Sequence, residues 1–248
     1  MKRLAFSGLV LLASCVWAAT AQRVTNEPNG QTAALPTVDE VLDRYVQALG
    51  GRAAIERVKS SVAKGTMEIP AAGVTGSIEF WKKAPNLILN VVTVAGTGAS
   101  RTGFDGSVGW SENPHQGLVT LKGQQLAQLA LQADFYSSIN LKQLYPKMTL
   151  IGMRKDDERD SYVIDATTEG GRSVKFHFDK DTGLLIRTDS GVDGQEISYF
   201  GDYREVEGVK APFLLREVNP AITVIIKLTE IKNNIAIDDS QFRMPQRK

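Results

Sequence analysis

From Ser173 to Asn233 apolar and polar side chains alternate along the chain, interrupted only by turns. Within Ser173–Asp179, Val174, Phe176 and Phe178 fall on one side of an extended backbone, and Lys175, His177 and Asp179 on the other. Ile222, Val224, Ile226 and Leu228 repeat the pattern, with Thr223, Lys227 and Thr229 opposite. Alternation of this kind predicts a sheet with one apolar and one polar face. The same reading places strands at 60–69, 74–83, 86–94, 100–104, 108–111, 118–121, 148–153, 162–167, 184–188, 196–204 and 209–218. Turn signals separate them: Pro70–Gly73, Asp105-Gly106, Asp181-Thr182-Gly183, Gly191–Gly194, Glu207-Gly208 and Asn219-Pro220. The segment 86–94 differs from the rest. It is apolar on both faces, with Leu87, Leu89 and Val91 on one and Ile88, Val92 and Val94 on the other, and so reads as the middle of the sheet.

Helical spacing occurs in two places. Thr37-Val38-Asp39-Glu40 has the form of a capping box, and Val38, Val41, Leu42, Tyr45, Val46 and Leu49 follow on one helical stripe until Gly50-Gly51. A short helix over 52–58 follows it. Gln124–Phe135 is rich in Ala, Leu and Gln, with a narrow stripe of Leu126, Leu129, Ala130 and Ala133, and a further helical turn is expected over 140–145. The fold class expected from the pattern is α+β: about eleven antiparallel strands in a single domain, with helices inserted at the start and in the middle.

The first residues carry a different signal. Lys2 and Arg3 precede an uncharged apolar run from Leu4 to Trp17, and Ala19-Thr20-Ala21 supplies a small-x-small cleavage pattern. Residues 1–21 therefore read as an export signal, with release into the periplasm. Leu12-Ala13-Ser14-Cys15 also has the form of a lipobox, in which Cys15 carries the lipid and tethers the protein to the envelope. Both readings stand on the sequence. Residues 22–35, rich in Thr, Asn, Gly, Gln and Ala, read as a flexible linker, and residues 36–248 as one domain. The apolar run is too short for a spanning helix, so no transmembrane span is expected in the mature form.

Composition narrows the chemistry. Cys15 is the single cysteine, which excludes an internal disulfide and cysteine metal sites. The formal net charge is +1, and without Lys2 and Arg3, 27 basic side chains face 28 acidic ones. No electrostatic draw toward nucleic acid follows. His177 with Asp179 offers two donors and no third, so His177 reads as a surface histidine and no metal is expected. Asp156–Asp160 lacks the spaced ladder and central glycine of a calcium loop and reads as a solvated hairpin tip. Gly96-Thr97-Gly98 lacks a third glycine and a following helix. No Gly-x-Ser-x-Gly elbow is present. No catalytic residue and no cofactor is expected. Trp110 reads as structural, and Trp81, on the polar side of its strand, as a candidate partner contact.

Four stretches resemble a known superfamily: Phe104-Asp-Gly-Ser-Val-Gly-Trp110, Phe178-Asp-Lys-Asp-Thr-Gly-Leu-Leu185, Asp202-Tyr-Arg-Glu-Val-Glu-Gly-Val-Lys-Ala-Pro-Phe213 and Asn234-Ile-Ala-Ile-Asp-Asp-Ser-Gln-Phe242. With the order of helix, strands, helical insert and long meander, the chain is similar to the outer-membrane lipoprotein-sorting carriers, the LolA/LolB-like superfamily. The resemblance implies an incomplete β-barrel closed by helices, whose hydrophobic cavity holds a lipid or lipidated protein. It implies a non-enzymatic carrier, and, as an alternative, an envelope protein-interaction or sensor module of the same fold with a filled interior. The carriers' functional arginine and membrane-inserting loop match no position here. Hydrophobicity selects Phe80, Leu87, Leu89, Val91, Leu129, Phe135, Phe176, Phe178, Ile186 and Leu228 as candidate cargo-lining residues.

Overall fold

The computed structural model describes residues 34–156 and 158–246. The export signal, Cys15 and nearly all of the linker lie outside the described residues, as does Asp157.

Helix α1 (Val38–Ala48) begins as its sequence dictates. The Thr37 hydroxyl accepts from the Glu40 N–H at 3.2 Å, and the Glu40 carboxylate accepts from the Thr37 N–H at 2.7 Å. Helix α2 (Arg52–Arg57) follows directly. The strands are β1 (Ser60–Ile69), β2 (Val74–Lys83), β3 (Leu87–Val94), β4 (Gly98–Phe104), β5 (Gly109–Asn113) and β6 (Gly117–Thr120). Helices α3 (Gly123–Ala133) and α4 (Leu141–Leu144) interrupt them. Seven more strands complete the chain: β7 (Lys147–Asp156), β8 (Arg159–Thr167), β9 (Ser173–Asp179), β10 (Leu185–Ser190), β11 (Glu196–Val206), β12 (Val209–Val218) and β13 (Thr223–Asn233).

All thirteen strands form one sheet in the order β6-β5-β4-β3-β2-β1-β13-β12-β11-β10-β9-β8-β7. Two antiparallel meanders, β1–β6 and β7–β13, are joined where β1 pairs with β13. The sheet is not closed. Its two edges are β6 and β7, and these are consecutive in the chain. The segment carrying α3 and α4 therefore has to travel from one edge of the sheet to the other. Register shifts between Lys64 and Gly65, Leu150 and Gly152, and Leu185 and Arg187 bend the sheet on the way. At the first of these only a glycine fits: a Cβ on Gly65 would lie 2.2 Å from the Lys227 carbonyl oxygen.

The helices share one face. Val41, Leu42 and Tyr45 of α1, with Leu141 of α4, pack on Ile164, Val174, Phe176 and Phe178 of β8 and β9. Leu129 and Ala133 of α3 pack on Ile88 of β3 and Phe104 of β4. Gly109 permits this docking, since a Cβ there would sit 2.8 Å from a methyl carbon of Leu126. The opposite face of β1–β5 is covered differently. Val62, Leu89 and Trp110 are buried beneath Ile237 and Phe242 of the C-terminal segment. The Trp110 Nε1–H donates to the Phe242 carbonyl at 2.8 Å, and the side chain is 1% exposed. Trp110 is structural, as its sequence context implies.

Candidate functional site

The helices cover the two flanks of the concave face. The middle is lined from the strands alone. Ala63 and Met67 of β1, Ile78 of β2, Phe213 of β12, and Ile226 and Leu228 of β13 form its floor. Ile69, Phe80, Val92, Val94, Leu215 and Val224 surround that floor and are only partly buried. The register fixes their common direction: Met67 pairs with Ile226, Ile226 with Leu215, and Ile78 with Val92. An apolar trough thus runs between α1 on one side and α3 on the other. The α3–α4 connection closes its inner end. There the Tyr136 hydroxyl donates to the Val58 carbonyl at 3.0 Å and receives the Lys59 ammonium at 3.1 Å.

The ten candidate lining residues separate into groups. Phe80 and Leu228 belong to the trough. Leu129 lies under α3, and Phe176 and Phe178 lie under α1. Ile186 is buried on β10. Phe135 follows α3, its N–H donating to the Pro85 carbonyl at 3.0 Å. Leu87, Leu89 and Val91 are placed on the opposite face, against the C-terminal segment, and so point away from the trough. The reason is local. Strand β3 is buried on both faces, and its periodicity carries no sign of which face is concave. Its other set, with Val92 and Val94, lines the trough. Trp81 also faces the C-terminal segment, half-buried. Its Nε1–H donates to the Glu79 carboxylate at 2.9 Å, with the Lys64 ammonium 5.8 Å from its ring centre.

His177 departs from its expected place. It occupies the polar side of β9 as the alternation requires, yet it is 1% exposed. Its Nε2 lies 3.3 Å from the Asp189 carboxylate, which in turn accepts from Arg187 Nε at 2.6 Å. The Arg187 and Arg216 guanidinium groups lie 5.5 Å and 3.9 Å from the Tyr199 ring centre. A charged and aromatic ladder covers that face, so a polar strand side is not a solvated one here. Asp179, also buried, caps the following turn by accepting from the Asp181 and Thr182 N–H groups.

Polar side chains also stand on the concave side: Lys82 and Asn90 near Phe80, Thr102 as Asn90's partner on β4, and Glu217 as Val224's partner on β12. Lys82 shares its side of β2 with Phe80, and Asn90 is Phe80's partner on β3. Burial pushes the Lys82 ammonium below the ordinary lysine value of 10.5, and the Asp134 carboxylate opposes this only in part. Lys82 nevertheless keeps part of its surface.

A cavity of about 650 Å³ lies near the β1–β2 turn and shares Met67 with the trough floor. It is lined mainly by Thr66, Glu68, Thr75, Ser77, Thr93 and Lys227, and by none of the ten candidates. Among the described residues no cluster of His, Cys, Asp or Glu is arranged to hold a metal, and no helix is long and apolar enough to cross a membrane.

No protein-family model matches the sequence, and no curated protein matches it. Solved structures do. A DUF1329 family protein from Desulfovibrio piger superposes with a TM-score of 0.60 at 14% identity, over 84% of this chain and 98% of its own. A LolA superfamily protein from Nitrosomonas europaea gives 0.55 at 16% identity, over 84% and 98%. A candidate outer-membrane lipoprotein-sorting protein domain from Vibrio parahaemolyticus gives 0.53 at 10% identity, over 82% and 93%. The curved open sheet, the helices on its concave face and these likenesses identify the architecture as the LolA/LolB-like fold.

Proposed function

We propose that this chain is an exported, non-enzymatic envelope protein that holds a hydrophobic cargo, an acyl chain or the lipid of a lipidated protein, in the trough of its half-barrel. The observation that carries the reading is the half-buried state of the central apolar side chains. Full burial of one such side chain is worth roughly 1.5–3 kcal/mol. Phe80, Val92, Val94, Leu215 and Val224 all forgo part of that value, on adjoining strands and on one face. A guest of matching shape recovers it. The helices that border the trough support the same reading. Stripe residues Ala130 and Ala133 give α3 a shallow contact with the sheet, suited to a cover that lifts.

Native mass spectrometry of the protein purified from its own envelope tests this. A lipid mass carried on the folded chain is expected. Uniformly bare protein, from membranes rich in lipid, counts against a carrier. A second reading has its own support: Ile151 and Met153 are 48% and 42% exposed on edge strand β7, where a protein partner could add a strand. Under that reading Ile151→Lys abolishes partner binding and leaves lipid content unchanged.

A further inference from the structure

We propose that the inner end of the trough binds the carboxylate of a single acyl chain, through Lys82 and Asn90. The proposal rests on the trough being the cargo site and specifies what the cargo carries.

The placement comes from the register of β2 and β3. Phe80 pairs with Asn90, and Lys82 with Ile88. Lys82 and Asn90 are therefore diagonal neighbours on the concave side, with Cβ atoms about 7 Å apart. Both side chains reach a point between them. Around that point the floor is apolar: Phe80, Ile78 and Val92 lie outward from it and Ile88 inward.

Neither side chain is satisfied by the protein. Among the described residues the Lys82 ammonium makes no hydrogen bond and no ion pair. The carboxylate that acts on it is that of Asp134, at the end of α3. That carboxylate is engaged elsewhere, accepting from Asn140 Nδ2 at 3.1 and 3.2 Å. The Asn90 Oδ1 is buried with no partner. An ammonium with no hydrogen bond, opposed only by a carboxylate that is already engaged, and an amide oxygen with no partner are both unfavourable without a ligand.

The donor count selects the ligand. An ammonium has three N–H groups and an amide nitrogen two. One ammonium N–H can satisfy Asn90 Oδ1. The rest, with Asn90 Nδ2–H, match the two oxygens of a carboxylate. A phosphate has three terminal oxygens and is better served by a guanidinium fork or several donors. Here the register supplies one cation, one amide and the hydroxyl of Thr102, Asn90's partner on β4. The acid would therefore sit inward, beneath the α3–α4 connection, with its chain along Ile78, Val92 and Leu228 toward the hairpin ends.

Displacement of the neutral fluorophore N-phenyl-1-naphthylamine from the mature protein at pH 7 tests the proposal, with laurate, methyl laurate and dodecyl phosphate as competitors. Wild type is expected to bind laurate about tenfold or more tightly than its methyl ester, the value of a charge-assisted hydrogen bond. Lys82→Met should bind the two equally, with the ester unaffected, and Lys82→Arg should keep the preference. Equal binding of acid and ester by wild type overturns the proposal while leaving the cargo trough intact. A preference that survives in Lys82→Met, or tighter binding of the phosphate, also overturns it. If none of the three competitors binds wild type, the cargo reading itself falls. The wild-type comparison decides even if Lys82→Met fails to fold.

Discussion

Lys82 shows how a residue can be legible in type and illegible in role. A lysine at the end of a strand reads as a solvated terminus. Its burial follows from what the sheet does around it, and no local pattern records that. The consequence for stability is specific. The folded state holds Lys82 below its ordinary value of 10.5, so between the lowered value and 10.5 the unfolded chain binds more protons than the folded one. Stability then rises with pH across that window and levels off above it. Lys82→Met is expected to raise the melting temperature of the ligand-free protein at neutral pH, and to lose this rise relative to wild type. Thermal unfolding at several pH values checks both; a variant less stable than wild type at pH 7 contradicts the assignment. His177 makes the same point in reverse. Its side of the strand is correctly given by alternation, but its burial depends on Asp189, Arg187 and Tyr199, which come from two other strands. Trp110, by contrast, is legible: a tryptophan next to a tight turn has little room to be anything but packed.

At the scale of elements, α1 is fully written in its sequence. A capping box, an unbroken apolar stripe and a double glycine are local signals, and the observed helix matches them. Helix α3 is expected over 124–135 and observed over Gly123–Ala133, a difference at the ends only. The C-terminal segment is the element that local reasoning does not reach. Ile235 and Ile237 alternate over too few residues to announce a strand, and Phe242 stands apart from them, so nothing local tells that they cover a face of β1–β5. That cover decides the fate of strand β3. Because Leu89 lies under the segment, Leu89→Glu should destabilise the fold, lowering the denaturation midpoint, and not act chiefly on binding. Phe242 is fully buried there, and Phe242→Ala is expected to cost about 3–5 kcal/mol, measurable by denaturant unfolding. A loss below about 1 kcal/mol would mean that the segment is not part of the core.

At the scale of the whole molecule, the sheet follows from alternation plus turns, and its openness follows from topology. Thirteen strands form where about eleven are expected. Each of the thirteen falls on a segment that alternation marks, β5 and β6 included, so only the overall count falls short. What alternation cannot supply is curvature, and with it the identity of the concave face. Curvature here arises from register shifts at Gly65, Gly152 and Ile186, visible only once strands are paired. The route of the α3–α4 segment between the two sheet edges then places helices over one face and leaves its centre to the strands. Processing of the N terminus belongs to this scale too. Mass spectrometry of the mature protein is expected to find either Gln22 as the first residue or a lipidated Cys15, and an uncleaved Met1 in envelope-derived protein would contradict export.

The central claim is that the middle of the concave face accepts an apolar guest. Titration of N-phenyl-1-naphthylamine into the mature protein, compared with Val224→Glu, tests it most directly, because Val224 is half-buried in the trough and clear of both helical contacts. The account predicts saturable binding to one site in wild type, weakened about tenfold or more by the buried charge, with folding retained. Absence of saturable binding, or an affinity that Val224→Glu leaves unchanged, would contradict it.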